Sequence, residues 1–188
     1  MNARFSSLAL AALFLLAEPL TGCRPATGTD TLDPAVPHVT ASDAVAAGRY
    51  LVTVGGCNDC HTPGYLEANG TVPESEWLVG SPVGWRGPWG TTYPSNLRLT
   101  AQTLSEDAFV EVLRTRKALP PMPWMNVNQL SEPDARAIYR FISSLGPKGA
   151  AMPAPVPPDV EPATPYLDMM PQHRERLATQ APDVAPGA

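Results

Sequence analysis

Two cysteines and a histidine lie within five consecutive positions, as Cys57, Cys60 and His61. The whole chain of 188 residues has only three cysteines and three histidines, so this spacing concentrates most of its strong metal and redox ligands in one stretch. Each chemistry that uses a C-x-x-C-H pattern demands a particular surrounding structure. The motif therefore constrains the fold more than the composition does.

Four kinds of site use closely spaced cysteines. A zinc site needs four ligands, and the sequence has no second C-x-x-C or H-x-x-x-H pair to complete one. A thioredoxin-like redox pair begins a helix in a strand-rich fold, which no alternating pattern predicts here. A disulfide would close too small a loop to stabilise the chain much. The preferred interpretation is one covalent haem c, whose vinyl groups bond both thiols and whose iron binds His61; zinc and a redox pair are the alternatives.

The first 22 residues have the features of an export signal. Their apolar run, Leu8–Ala17, has ten residues, against about 20 for a helix that crosses a bilayer. The segment Leu20–Cys23 resembles the lipobox of bacterial lipoproteins, which implies a signal peptide over 1–22 and lipidation of Cys23; a secretory peptide with an incidental cysteine is the alternative. We expect a lipid-anchored chain on the periplasmic side of a membrane, and the same resemblance, with Arg24 directly after the lipidated cysteine, favours the outer membrane.

Proline and charge divide the mature chain. Residues 23–41 are polar and contain proline, which predicts a flexible tether. Residues 147–188 hold ten of the 23 prolines and predict an extended segment that is draped over the domain or loose. One domain remains, over 42–146. The formal net charge of −5 argues against a nucleic-acid partner.

Three helices are predicted within that domain. They begin at Ser42, Ser105 and Ser131, which are good N-cap residues, and the last ends at Gly146. Between Thr62 and Thr100 the chain shows little periodicity. We therefore expect an all-α fold of three main helices with long irregular loops, completed by a large buried cofactor. The apolar positions predicted to be buried include Phe109, Val112, Leu113, Ala135, Ile138, Tyr139, Ile142 and Leu145.

Together these features resemble a class I bacterial cytochrome c over residues 42–146. The matching stretches are Gly48–Leu51 leading into the cysteine motif, the loop LPPMPWMN, and the closing helix LSEPDARAIYRFISSLG. The resemblance implies a cytochrome c-like fold around one haem, with the first and last helices crossing where Gly48 lets Tyr139 pack closely. The irregular middle, Gly70–Leu99, departs from the shortest members of the family.

The resemblance also implies a second axial ligand for the iron. Met122 is preferred, because the family often pairs methionine with a following proline, and Met125 is the alternative. Rigid prolines around Met122 suit a loop that holds one weak ligand at a fixed distance. Bis-histidine ligation would need His38 or His173, and both lie outside the domain.

Further contacts to the haem site are predicted with alternatives. The imidazole nitrogen that does not face iron should donate to a backbone carbonyl, by resemblance that of Pro88, with Pro82 as the alternative. Several donors could bind the haem propionates or simply stabilise loops: Arg86, Arg98, Tyr93, Asn96 and the tryptophans.

The expected function is single-electron transfer between redox partners, and not catalysis. Those partners would be a dehydrogenase, an oxidase or another cytochrome. One alternative is the haem subunit of a dehydrogenase or oxidase complex, in which the segment from Pro147 would bind a catalytic partner. A ligand-binding or peroxidatic haem protein is a further alternative. It would require an open face on the iron.

Overall fold

The structure is a computed structural model that describes residues 36–176. The predicted signal peptide, the lipidation site Cys23 and most of the tether lie outside the described residues. Where the tether enters the described part, the backbone N–H of Val39 donates to Asp134 Oδ1 at 2.8 Å. Along residues 36–176, no helix combines the length and the apolar character needed to span a membrane.

Helices and strands both contribute to the fold. Residues 36–176 contain six α-helices: α1 (Ala44–Val54), α2 (Cys57–His61), α3 (Leu97–Thr103), α4 (Glu106–Thr115), α5 (Trp124–Val127) and α6 (Glu132–Ser144). They also contain a sheet of three strands: β1 (Gly84–Gly87), β2 (Gly90–Thr92) and β3 (Tyr166–Asp168). Two short 3-10 helices occupy Glu74–Glu76 and Arg174–Arg176.

The prediction of an all-α, cytochrome c-like fold with three main helices is wrong, because the described residues include a mixed sheet and three further short helices. Strands β1 and β2 form an antiparallel hairpin in which Gly87 pairs with Gly90, and β3 adds parallel to β1. Gly90 has a φ of +96°, and a Cβ there would clash with the Val156 carbonyl. Strands of three or four residues are too short to show an alternating pattern.

All three predicted helices are present, as α1, α4 and α6. The first begins one residue later than predicted, because Asp43 and not Ser42 is its N-cap; the Asp43 carboxylate accepts the Ala46 N–H at 2.8 Å. Ser105 and Ser131 are confirmed as the caps of α4 and α6. Each cap satisfies an N–H that the first turn leaves without a helical partner.

Helices α1 and α6 cross at Gly48, as predicted. A Cβ on Gly48 would clash with the Ala137 carbonyl and press on Phe141, so only glycine permits this approach. The aromatic residue at the crossing is therefore Phe141 and not Tyr139. The Tyr139 ring instead packs against Phe109 on α4, with centroids 5.4 Å apart.

The core lies where α1, α4 and α6 meet the loop before β1. Four of the predicted apolar positions are buried: Phe109, Ala135, Ile138 and Ile142. Four others are only half-buried: Val112, Leu113, Tyr139 and Leu145. Trp77 and Leu78 join the core from the irregular middle, and the Trp77 ring meets Phe141 edge to face. The irregular middle of the chain therefore contributes apolar side chains to the core.

Residues 147–170 run along the domain. Of the two predicted arrangements, draped or loose, the structure shows the draped one. The Asn96 side chain donates to the Lys148 carbonyl at 2.8 Å. Thr91 and Val156 exchange two backbone hydrogen bonds, at 2.8 and 2.9 Å. This C-terminal extension thus provides β3 and a further bridge to β2.

Candidate functional site: the cysteine motif and the methionine loop

The cysteine motif forms a helix of its own, α2. Gly56 precedes it with a φ of +66°, a left-handed conformation that suits glycine and turns the chain out of α1. Within α2, Cys57 and Cys60 are three residues apart and His61 is four residues after Cys57. Side chains at these spacings share one face of a helix. The three chemically active groups therefore point to the same side of the chain.

Both thiols of the motif are free and half-buried. Burial is the main cause that raises the pKa of Cys57 to about 11, and it also raises the pKa of Cys60. The nearby Asp59 carboxylate adds to both increases. At neutral pH these groups are thiols and not thiolates, in contrast to the low-pKa cysteines of redox enzymes.

His61 is buried, with 7% of its surface exposed. Its Nδ1 lies 2.7 Å from the Ser95 carbonyl oxygen. The prediction that this ring nitrogen meets a backbone carbonyl is confirmed, but the residue predicted to supply it, Pro88, was wrong, and so was Pro82. Burial lowers the pKa of His61, and the Ser95 contact offsets part of that decrease. The result is a neutral imidazole with Nε2 as the nitrogen that can bind iron.

A buried hydrogen-bond chain also orders the motif. The Leu78 N–H donates to Thr62 Oγ1 at 2.8 Å, and the Thr62 hydroxyl donates to Asn58 Oδ1 at 2.7 Å. Sequence reasoning missed Asn58 and Thr62. The available signal was their spacing of four residues around His61, which places a hydroxyl within reach of the amide across one helical turn.

The two methionines of the loop before α6 have different surroundings. Met122 is half-buried, and its carbonyl accepts the Trp124 N–H at 2.9 Å. Met125 lies on α5 with 74% of its surface exposed. The loop is also held from outside, because the Thr92 hydroxyl donates to the Pro120 carbonyl at 2.7 Å.

The polar residues considered for the propionates have protein partners. Arg98 donates to the carbonyls of Ser75, Leu145 and Gly146. The Tyr93 hydroxyl contacts Thr164 Oγ1 at 2.7 Å. Asn96 binds Lys148, and Arg86 binds the Val160 carbonyl at 2.9 Å. These contacts agree with the alternative that the four residues stabilise loops and the extension.

Trp89 differs from those residues. Its ring packs over Gly87 in the hairpin, where a Cβ would clash with it. Its indole Nε1 is buried and has no acceptor among the described residues. A buried donor without a partner costs free energy, so it suits a bound group that carries an acceptor oxygen. The residue types on α2 fit covalent haem attachment, and this indole offers an unpaired donor on the hairpin.

Neither a search for metal-binding clusters nor a comparison with known proteins assigns a function to the site. Within residues 36–176, no three His, Cys, Asp or Glu side chains are placed to hold one metal ion between them. Family models, curated proteins and solved structures give no match to this chain. The function is therefore inferred from the residues and their contacts.

Proposed function

We propose that this chain is a single-haem c-type cytochrome, lipid-anchored on the periplasmic side, that carries electrons and has no substrate of its own. Cys57 and Cys60 would hold the haem c through thioethers, with His61 on one face of the iron and Met122 on the other. The bound group supplies an iron that changes between ferric and ferrous by one electron. The four side chains would hold the group, and no residue would have to move for the iron to change by one electron.

The observation that carries this proposal is the orientation of His61. A buried, neutral imidazole has one nitrogen fixed on the Ser95 carbonyl, which directs the other nitrogen away from that contact. Histidines that bind metals are commonly oriented by such a second contact. Because His61 shares a helix face with both thiols, one group could bind all three.

The state of the thiols favours cofactor attachment over a redox dithiol. Redox and nucleophilic cysteines have pKa values lowered by nearby positive charge or a helix N-terminus. Burial raises the pKa of both Cys57 and Cys60 here, and the neighbouring charge is the negative Asp59. Two neutral thiols beside a negative carboxylate therefore lack the thiolate character of a redox pair.

Burial favours Met122 over Met125 as the second axial ligand. A thioether on iron has to leave solvent, and the Met125 side chain is largely exposed. Met122 lies in the proline-rich loop that Thr92 contacts through Pro120. A neutral sulfur ligand favours ferrous iron, and a low-dielectric pocket does the same, so we expect a comparatively high reduction potential.

The position of the C-terminal extension supports an independent carrier over a subunit whose tail binds a catalytic partner. The backbone of Val156 pairs with Thr91, and the Met169 N–H donates to the Arg86 carbonyl at 2.8 Å. At these two points the backbone of the extension is thus paired within the chain and is not available to another protein.

The absorption spectrum of the purified protein tests the proposal. The full chain is produced in a bacterial host that attaches haem c. We expect the ferric form to show the weak far-red band of sulfur bound to iron, and the reduced form to bind carbon monoxide slowly. Absence of the far-red band together with rapid carbon monoxide binding would point instead to an open iron face and a ligand-binding or peroxidatic protein.

A further inference from the structure

One short segment contacts both sides of the proposed iron site. Ser95, just after β2, accepts from His61 at 2.7 Å. Thr92, the last residue of β2, donates to the Pro120 carbonyl at 2.7 Å, two residues before Met122. The contact to the proposed proximal ligand and the contact to the loop that carries Met122, the distal loop, therefore lie only three positions apart in the chain.

The distal loop has few means of fixing itself. Proline has no N–H, so Pro120, Pro121 and Pro123 cannot donate backbone hydrogen bonds. The loop lies outside any regular helix or strand until α5 begins at Trp124. A loop of this kind depends on donors from other parts of the chain, and the Thr92 hydroxyl is such a donor.

The strand that carries Thr92 is itself held on two sides. Thr92 pairs with Trp85 across the hairpin, and residues directly opposite each other share one face of a sheet. The neighbouring pair, Arg86 and Thr91, faces the other way. There the Arg86 guanidinium binds the Val160 carbonyl of the C-terminal extension, at 2.9 Å. Thr92 thus lies on one face of the hairpin, and the C-terminal extension contacts the opposite face through Arg86.

We propose that Thr92 is a positioning residue that keeps Met122 on the iron by holding the Pro120 carbonyl. This inference rests on the proposed function, since it requires a haem with Met122 as a ligand. The iron–thioether bond is weak, so the closed state depends on how firmly the loop is held. Loss of one hydrogen bond should raise the fraction of open iron by roughly three- to tenfold.

The test compares two substitutions at the same position in the haem-containing full chain. Thr92→Val removes the hydroxyl and keeps the shape, whereas Thr92→Ser keeps the hydroxyl. We expect Thr92→Val to weaken the far-red band and to speed carbon monoxide binding to the reduced protein by roughly three- to tenfold. Thr92→Ser should behave as the unmodified chain does. Thr92→Ala gives a second removal of the hydroxyl should the valine variant accumulate poorly.

A matched control is Thr103→Val, which removes an exposed hydroxyl that donates to the Thr100 carbonyl at 3.0 Å on α3. It should leave the band and the carbon monoxide rate unchanged. If the unmodified chain shows the far-red band and both hydroxyl-free variants keep it and its slow carbon monoxide binding, the role of Thr92 is overturned and the proposed function stands. If the unmodified chain lacks the band, methionine ligation fails first.

Discussion

His61 is fixed through both its side chain and its backbone. Its Nδ1 meets the Ser95 carbonyl, and its own carbonyl accepts the Gly80 N–H at 2.8 Å. The contacts come from segments 19 and 34 residues further along the chain. The ring therefore cannot turn without disturbing two loops, as suits a ligand that should not move between oxidation states.

Substitution of the two loop methionines separates the distal ligand from its neighbour. Met122→Ala should abolish the far-red band, lower the reduction potential and let carbon monoxide bind, because a neutral sulfur leaves the iron. Met125→Ala is the matched control, and it should change none of these, since 74% of the surface of Met125 is exposed. Absorption spectra and redox titration of both variants give the answer. The reverse pattern would assign the ligand to Met125.

Gly48→Ala should destabilise the protein despite a better helix propensity. Alanine is favoured over glycine inside a helix by about 1 kcal/mol. At this position the added Cβ would clash with the Ala137 carbonyl and separate α1 from α6. We expect a net loss of about 2 kcal/mol in the free energy of unfolding, measured by urea denaturation. Thr53→Ala, an exposed change in the same helix, is the control, and equal stability of the two variants would contradict this packing.

Residues whose role is local could be predicted from the sequence, and residues that act at a distance could not. Cys57, Cys60 and His61 follow from spacing, and the Ser105 and Ser131 caps follow from the turn that each one begins. The acceptor for His61 is a backbone carbonyl 34 residues away, and a carbonyl leaves no mark on residue type. The same limit explains why the sequence did not indicate Ser95 as the acceptor.

At the scale of elements, α4 and α6 are joined by charge as well as by packing. Arg136 on α6 lies 2.7 Å from Asp107 and 3.4 Å from Glu106, both in the first turn of α4. It also pairs with Glu132 one turn earlier, at 2.7 Å. These hydrogen bonds, that to Glu132 foremost, raise the pKa of Arg136 further above its usual value.

Arg136→Met should therefore weaken the contact between α4 and α6. Surface ion pairs contribute little singly, but three carboxylates around one guanidinium should add up to about 1 kcal/mol. Chemical denaturation should show this loss at low salt and a smaller loss at high salt. Arg114→Met is the control, because Arg114 makes a single pair with Glu132, at 3.7 Å. A loss that does not depend on salt would show that packing, and not charge, is the cause.

The bridge between the extension and β2 offers a test of the sheet. Val156→Pro removes the N–H that donates to the Thr91 carbonyl at 2.9 Å. We expect a loss of about 1–3 kcal/mol in the free energy of unfolding, since the buried Thr91 carbonyl loses its donor. Ala154→Pro, at an exposed neighbour, is the control for adding a proline. If both variants have the same free energy of unfolding as the unmodified chain, the extension does not stabilise the hairpin.

Long periodic elements were predictable and short paired ones were not. Helix α6 carries a full apolar stripe and acidic residues in its first turn, which local physics can recognise. Strand β3 has three residues, and its partner β1 lies about 80 residues earlier. Its pairing depends on the path of a proline-rich segment across the domain. The all-α prediction failed for that reason.

For the whole molecule, distant parts of the chain order the α2 region and the methionine loop. The loop before β1 orders Asn58 through Thr62, the segment after β2 orients His61, and the hairpin holds the methionine loop. The extension then holds the hairpin from its other face. Each contact joins segments that are separate in sequence, so a haem site built from them forms only once the chain has folded.

Covalent attachment of haem at the cysteine motif is the central claim, and the intact mass of the denatured protein tests it most directly. The chain, made in a host that matures c-type cytochromes, is measured beside a Cys57→Ser, Cys60→Ser double variant. We expect the first protein to carry the added mass of one haem group after denaturation and the double variant to carry none. A denatured chain at the bare polypeptide mass would contradict the account.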